Sequence, residues 1–530
     1  MKIGNVRLGL ATNSSSTHYI VFLNKNNTNK YLDDDCSDQN YGWNEFTCAE
    51  TDSKMEYLSH VLYRSVVKDV GEQYAKTIVD AWVGNGFYNE DGYIDHNSTM
   101  ILPSSYEHSK SIDQDFFEEF KAFISKNNVL IIGGNDNSEP SHPAHFDNAA
   151  EVTRIDSLDS SNLVCRKDGS VWFLFNKRTG ARFSLSFDES VEDFRPKAPL
   201  LVDLKITDFC LSGCNFCYQN STSQGKHASK HNVDAIIKAL EKLKVFEVAI
   251  GGGEPTEFPD FEDIMFETYN AEHIVKNFAT RNSEVARDFL LKTKDLSEIP
   301  KNHLTKMGAY RLNHNIRPKA KGACALTVGS SAEIKSFVSS CSSKKLVFHY
   351  VMGTSDEKEF KNILQTCKVF EIPIILLGFK SFGRGAKFEP QNYDNWIKIV
   401  KEVGGNVGID TALAAAYEEQ LKDENVSELT YSTKETDTSM YIDAVQMTMR
   451  PSSYSDPKKA IKLSVSDNSY WSEEATNELA KQIQDAFMAF REDSDNFDNF
   501  GHREMNIVPI SKITRGNRSW WELQYLTDDE

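Results

Sequence analysis

A chain of 530 residues is longer than one hydrophobic core usually grows, so two or three domains are expected. With 40% hydrophobic and 26% charged residues it is a globular protein, not a collagenous, disulfide-dense or disordered one, and no apolar run reaches the length of a membrane span. The formal charge of −19 excludes the electrostatic footprint of a protein that wraps free DNA or RNA, because that binding depends on neutralising phosphates.

The first residues, Met1 to Leu23, lack the basic start, long apolar stretch and small-residue cleavage site of a signal peptide. The cysteines outside one cluster (Cys36, Cys48, Cys165, Cys324, Cys341 and Cys367) are scattered singly, which fits a reducing compartment. A cytoplasmic protein with no membrane partner is expected.

Residues 1–195 read as an α+β region. A strand at Tyr19–Leu23 leads into a polar linker, Asn24 to Asn40, and then a helical stretch over Met55–Val83. Val129–Gly134 reads as a buried strand ending in a glycine turn, and the GGNDN that it opens is a turn rather than a phosphate site. Val171–Phe175 and Ala181–Phe187 flank a hairpin loop at Asn176–Gly180. This region carries no chemical motif.

Between residues 196 and 390 strands and helices alternate. Strands are expected at Leu200–Ile206, Phe246–Ile250, His273–Ala279, Ala323–Val328, Leu346–Met352 and Ile372–Leu377, with helices at Val233–Lys244, from Ala332 and at Asp356–Phe370. Short apolar strands separated by helices make a parallel sheet, and crossovers of one hand curl it into a partial (β/α)6 barrel. In such barrels the chemistry sits at the C-terminal ends of the strands. The basic stretch Arg311–Lys321 reads as a solvated loop.

Residues 391–530 form an acidic α+β extension. From Lys401 to Glu530 there are 25 acidic and 13 basic residues, a balance of −12. Helices are expected at Trp396–Val403, Thr411–Leu421 and Glu473–Arg491, the last with Leu479, Ile483, Phe487 and Phe490 inward. Strands are expected at Val407–Asp410 and Met440–Met449, and the aromatic tail around Trp520-Trp521 reads as core.

Two motifs follow the first two barrel strands. Cys210-Leu-Ser-Gly-Cys214-Asn-Phe-Cys217 follows the first. Three thiolates so spaced suit a soft metal and leave a four-iron cluster with one iron lacking a protein ligand. A closed zinc site would need a fourth ligand and a second cysteine pair; none is present, and His227 has no zinc spacing. Gly251-Gly252-Gly253-Glu254-Pro255 follows the second, where glycines let a backbone approach a ligand without a Cβ clash.

CxxxCxxC with an aromatic before its third cysteine, followed by GGGE one helix and one strand later, resembles the signature of the radical S-adenosylmethionine (SAM) superfamily. With the stretch after Cys217 and the Lys380–Arg384 turn, it is similar to radical SAM proteins of bacterial and phage genomes, over about residues 199 to 390. The resemblance implies a [4Fe–4S] cluster on Cys210, Cys214 and Cys217, with SAM chelating the open iron and reductively cleaved to a 5′-deoxyadenosyl radical. It implies that Gly251, Gly252, Gly253 and Glu254 hold the amino group of SAM's methionine and that Phe216 packs near cluster and adenine. It places Thr280 and Asn282 near the cofactor, and Thr327 and Ser330 at its ribose or carboxylate. Arg384, between glycines, is suited to a carboxylate of SAM or substrate. No catalytic side chain is assigned.

Many superfamily maturases carry auxiliary clusters on a cysteine-rich C-terminal domain; here no cysteine follows Cys367. A peptide or protein substrate and a flavodoxin- or ferredoxin-type reductant are expected. The rivals are a nucleotide- or RNA-modifying radical SAM enzyme, which Arg311–Lys321 would serve, and a non-catalytic iron–sulfur regulatory module.

Overall fold

Apolar runs of four to seven residues, each followed by an amphipathic helix, assemble into one curved sheet in the computed structural model. Apart from short gaps, the structure describes residues 2–7, 16–23, 40–94, 102–135, 149–155, 163–266, 274–293, 322–465, 472–496 and 523–524. The expected loop Arg311–Lys321 and the Trp520-Trp521 pair lie outside the described residues. Residues divide into two units, 1–194 with 515–530, and 195–514.

The second unit is built on a ten-stranded sheet. Its strands in chain order are β1 (Leu201–Thr207), β2 (Glu247–Gly252), β3 (Val275–Thr280), β4 (Cys324–Thr327), β5 (Leu346–Val351), β6 (Ile374–Leu377), β7 (Val407–Ile409), β8 (Ser439–Asp443), β9 (Thr448–Arg450) and β10 (Ile461–Lys462). Strands β1 to β7 pair in sequence order, all parallel. The six expected barrel strands are therefore present in the expected order.

The segment after residue 390 does not stand apart. It adds β7 beside β6, and it sends β8 back to pair in parallel with β1, Asp203 opposite Tyr441 and Lys205 opposite Asp443. The expected single strand Met440–Met449 is two strands, because the Asp443 carboxylate accepts from the backbone N–H groups of Val445 and Gln446 at 2.9 Å and turns the chain. The expected helix Thr411–Leu421 likewise breaks at Tyr417.

Helices cover the outside of the sheet. Their starts carry oxygen caps as the sequence allows: Ser229 accepts from Asn232 N, and Asp356 from Glu359 N. The long helix Glu473–Asn496 buries Leu479, Ile483, Phe487 and Phe490 in the same core as Ile236 and Leu240 of helix Lys230–Lys242. Among the described residues no helix is long and apolar enough to cross a membrane.

In the first unit, the helical stretch expected over Met55–Val83 is two consecutive helices, Thr51–Val70 and Glu72–Trp82. Gly71, at φ 80° and ψ 164°, ends one and caps the next. The hairpin is present as antiparallel Val171–Asn176 and Arg182–Ser186, and Tyr57, Phe117, Phe123 and Trp172 fill a separate core.

Candidate functional site

The three-cysteine loop leaves the end of β1 and returns beside its own start. Asp208 N donates to Lys226 O at 2.8 Å, Cys210 N to Thr222 O at 3.0 Å, and Ala228 N to Ile206 O at 2.9 Å. The turn between the last two cysteines closes on itself, Cys217 N donating to Cys214 O at 3.3 Å. Cys210, Cys214 and Cys217 are free thiols, each partly exposed. His227 is not among the sulfur ligands. Its Nδ1 sits 2.8 Å from Thr207 Oγ1, and its ring packs between Phe209 and Phe258.

The GGGE strand end is fastened to the base of this loop. Gly253 N donates to Thr207 O at 2.7 Å, and Glu254 N to Phe209 O at 2.8 Å. Gly252 has φ +127°, and a Cβ there would drive into the carbonyl oxygen of Thr207; at Gly253 it would drive into that of Phe209. Gly251 differs, since no atom lies within 4 Å of where its Cβ would be. All three were expected to admit a ligand. Two of them instead admit the cysteine loop, and the open approach is at Gly251.

Glu254 is buried, and its carboxylate is spent within the protein. Oε1 accepts from Thr280 Oγ1 at 2.7 Å and from Thr256 Oγ1 at 2.7 Å, and Oε2 from Arg281 N at 3.0 Å. These contacts tie the end of β2 to the end of β3 and leave the expected approach of SAM's amino group to the backbone of this strand end. Glu254→Gln would set an amide N–H against one of these donors. It should lower stability by about 1–3 kcal/mol and weaken SAM binding with iron retained, as thermal unfolding, SAM titration and iron analysis would show.

Asn282 and Ser330 are also otherwise engaged. Asn282 Oδ1 accepts from Glu284 N and Val285 N at 3.2 Å, and Ser330 Oγ from Glu333 N at 3.3 Å, so both cap helices. Thr327 lies on the inward face of β4 and is partly exposed. Phe216 stands edge-on to Phe388, with ring centroids 6.0 Å apart.

Arg384 departs most from expectation. Its Nε donates to Cys214 O at 2.8 Å and its Nη1 to Ser221 O at 2.8 Å, while its own N–H donates to Cys217 O at 3.0 Å. Only Nη2, buried, has no hydrogen-bond partner. The guanidinium is a clamp on the cysteine loop, not a free fork for a carboxylate. Sequence reasoning missed two further contacts to the loop. Arg281 Nη1 donates to Cys214 Sγ at 3.1 Å, placing a positive charge beside a loop that gathers negative charge when thiolates bind iron. Tyr218 OH donates to Ser453 Oγ at 2.8 Å, joining the loop to the C-terminal segment.

Among the described residues no three His, Cys, Asp or Glu side chains converge as a single metal ion requires. A cubane asks something different, since each thiolate meets its own iron and one iron is left open. Three unpaired, accessible thiols on one braced loop fit that group.

Residues 204–304 match the family described as the Radical SAM superfamily. The mycofactocin maturase MftC of Mycobacterium ulcerans is 35% identical over 94 residues, 17% of this chain and 25% of that protein. MftC of Mycolicibacterium smegmatis is 30% identical over 96 residues, 18% of this chain and 24% of that protein. The chain thus spans about a quarter of the length of the curated relatives it matches. Among solved structures, Streptococcus suis SuiB bound to precursor peptide SuiA is similar with a TM-score of 0.39 at 14% identity, over 55% of this chain and 82% of that one. SuiB bound to SAM also gives 0.39, at 12% identity, over 57% and 84%. Radical SAM proteins use a [4Fe–4S] cluster and SAM as cofactors.

Proposed function

We propose that this chain, a radical SAM superfamily enzyme, modifies a peptide or protein with a cluster held by Cys210, Cys214 and Cys217. The observation that carries the reading is the braced three-thiol loop, hydrogen-bonded through Thr207 and Phe209 to a glycine strand end that keeps open space at Gly251. When bound, the cluster and SAM supply a 5′-deoxyadenosyl radical, made by one-electron cleavage of the sulfonium bond, that takes a hydrogen atom from carbon.

The chain's own part is positioning and exclusion of water. Arg384 holds the loop carbonyls, and Glu254 holds the loop ends of β2 and β3 in register. Gly251 presents an unobstructed backbone edge on the same side of the sheet, where SAM's amino end is taken to approach. Phe216 and Phe388 wall the site and limit water where a carbon radical would be quenched.

Two facts support a polypeptide substrate over a nucleic acid. The curated relatives are named maturases, and a chain of charge −19 repels a free polyanion. A flavodoxin- or ferredoxin-type protein is proposed as electron donor. A reducing cytoplasm is proposed as the location, in keeping with the free thiols found among the described residues.

Anaerobic reconstitution tests the centre of this reading. Wild-type protein should take up about four irons and, once reduced, release 5′-deoxyadenosine from SAM. Changing Cys210, Cys214 and Cys217 together to Ala should abolish both, while Cys324→Ala, Cys341→Ala and Cys367→Ala should keep iron. Full iron uptake by the triple variant would refute the assignment.

A further inference from the structure

The inside of the curved sheet is open. On β4, β5 and β6 burial alternates strictly: outward side chains are buried under helices, and inward ones are partly exposed. In a closed small barrel the inward residues would be packed in layers. Here small side chains make room, with Ala249, Gly251, Ala279 and Ala325 all at inward, partly exposed positions.

Asp203 projects into this space. It lies on β1 between Ala249 of β2 and Tyr441 of β8 in register, and its side chain is exposed although its strand is interior to the sheet. Accessibility at that place means access through the lumen.

The neighbouring acids are satisfied. Asp410 accepts from Gly378 N and Leu413 N at 2.9 Å and pairs with Lys380 at 3.0 Å. Asp443 pairs with Lys205 at 3.1 Å, and Glu247 accepts from Asn277 Nδ2 at 3.1 Å. Among the described residues no hydrogen bond or ion pair reaches the Asp203 carboxylate.

The cations nearby are committed elsewhere. Lys380 faces Asp203, yet it holds Asp410 and lies against the rings of Tyr218 and Tyr454, at 5.2 and 4.8 Å. Inward-facing His349 is pushed down to about 4, chiefly by burial, so it is neutral at ordinary pH. Solvent reaches Asp203 only within the lumen, and the protein walls around it lift its carboxyl to about 6 by desolvation; Lys380 opposes the rise, and Asp410 and Glu247 add to it. Above that pH the lumen holds an ionised carboxylate with no cation in contact.

We propose that Asp203 receives a cationic side chain, lysine or arginine, of the polypeptide substrate inside the lumen. The identity of the carrier rests on the peptide reading above; the receptor can be tested without it.

The test places a reporter thiol beside Asp203 by Ala249→Cys in the full, cluster-loaded protein at pH 8. Its modification by cationic trimethylammonioethyl and anionic sulfonatoethyl methanethiosulfonate is followed by peptide mass spectrometry, with each rate normalised to free cysteine. The cation-to-anion ratio should exceed that of free cysteine about tenfold. It should fall close to the free-thiol value when Asp203→Asn is added, and persist with Asp203→Glu. Butylguanidinium should protect the reporter saturably, and butyrate should not.

A reporter that neither reagent reaches, a ratio unmoved by Asp203→Asn, or equal protection by both butyl compounds would overturn the proposal. If the Asn variant does not fold, the protection experiment on the Ala249→Cys protein decides. Loss of iron or of SAM cleavage bears on the cluster reading alone and leaves these ratios unaffected.

Discussion

Gly253→Val should yield a protein that retains little iron, whereas Gly251→Val should retain iron and lose affinity for SAM. The difference follows from what each position faces. A side chain at Gly253 meets the Phe209 carbonyl, and the backbone bonds from Gly253 and Glu254 to Thr207 and Phe209 would part, shifting the strand end that leads to Cys210. Overpacking costs about 1–3 kcal/mol, and against rigid backbone that is enough to disorder a loop held by a few hydrogen bonds. At Gly251 the same side chain enters open space and leaves the loop untouched. Iron per chain after reconstitution, and the SAM-induced change in the EPR spectrum of the reduced cluster, read the two effects separately. Equal iron in both variants would break the link between the glycine strand and the cysteine loop.

Arg384→Ala should lower iron retention several-fold and speed cluster loss on dilution, with the fold intact. Two side-chain bonds to loop carbonyls disappear, each worth about 1.5–3 kcal/mol with a charged donor. Arg384→Lys should recover only part of the effect, because one ammonium cannot span Cys214 O and Ser221 O as the planar guanidinium does. Iron release to a chelator, followed by absorbance, measures this directly. Wild-type retention in both variants would return Arg384 to the role of a carboxylate ligand through its Nη2.

The barrel and its cysteine loop were legible because each is written locally. Apolar runs of strand length alternate with helices that show caps and an apolar stripe, and CxxxCxxC carries its signal in its spacing. The fate of short polar residues at strand ends was not legible. Asn282, Ser330 and Thr280 have the chemistry of ligands and of caps alike, and only the geometry of the following N–H groups decides between them. Arg384 was hard to place for a similar reason: a guanidinium between glycines suits a ligand carboxylate, but the two loop carbonyls that its Nε and Nη1 meet, more than 160 residues earlier in the chain, could not be foreseen. Asp203 had a visible signal, since Asp203 and Lys205 are charges two apart in an otherwise apolar strand and so share a face. Pairing of β8 with β1 left no trace in local periodicity, because period states which face is buried and not which strand lies alongside.

That last pairing governs when the fold can be completed during synthesis. β1 is made first, but its second neighbour, Ser439–Asp443, emerges only after about 240 further residues, the separation between Leu201 and Ser439. Until then β1 carries an open edge of unpaired N–H and C=O groups, the kind of edge that templates aggregation. Contacts of such long sequence separation also close slowly. A ribosome-released fragment ending before residue 439 would contain all three cysteines and the glycine strand, and would still expose the strand from which the cysteine loop departs. The stretch that follows the barrel strands therefore supplies the strand that covers this edge, and the edge stays open until that stretch has been made.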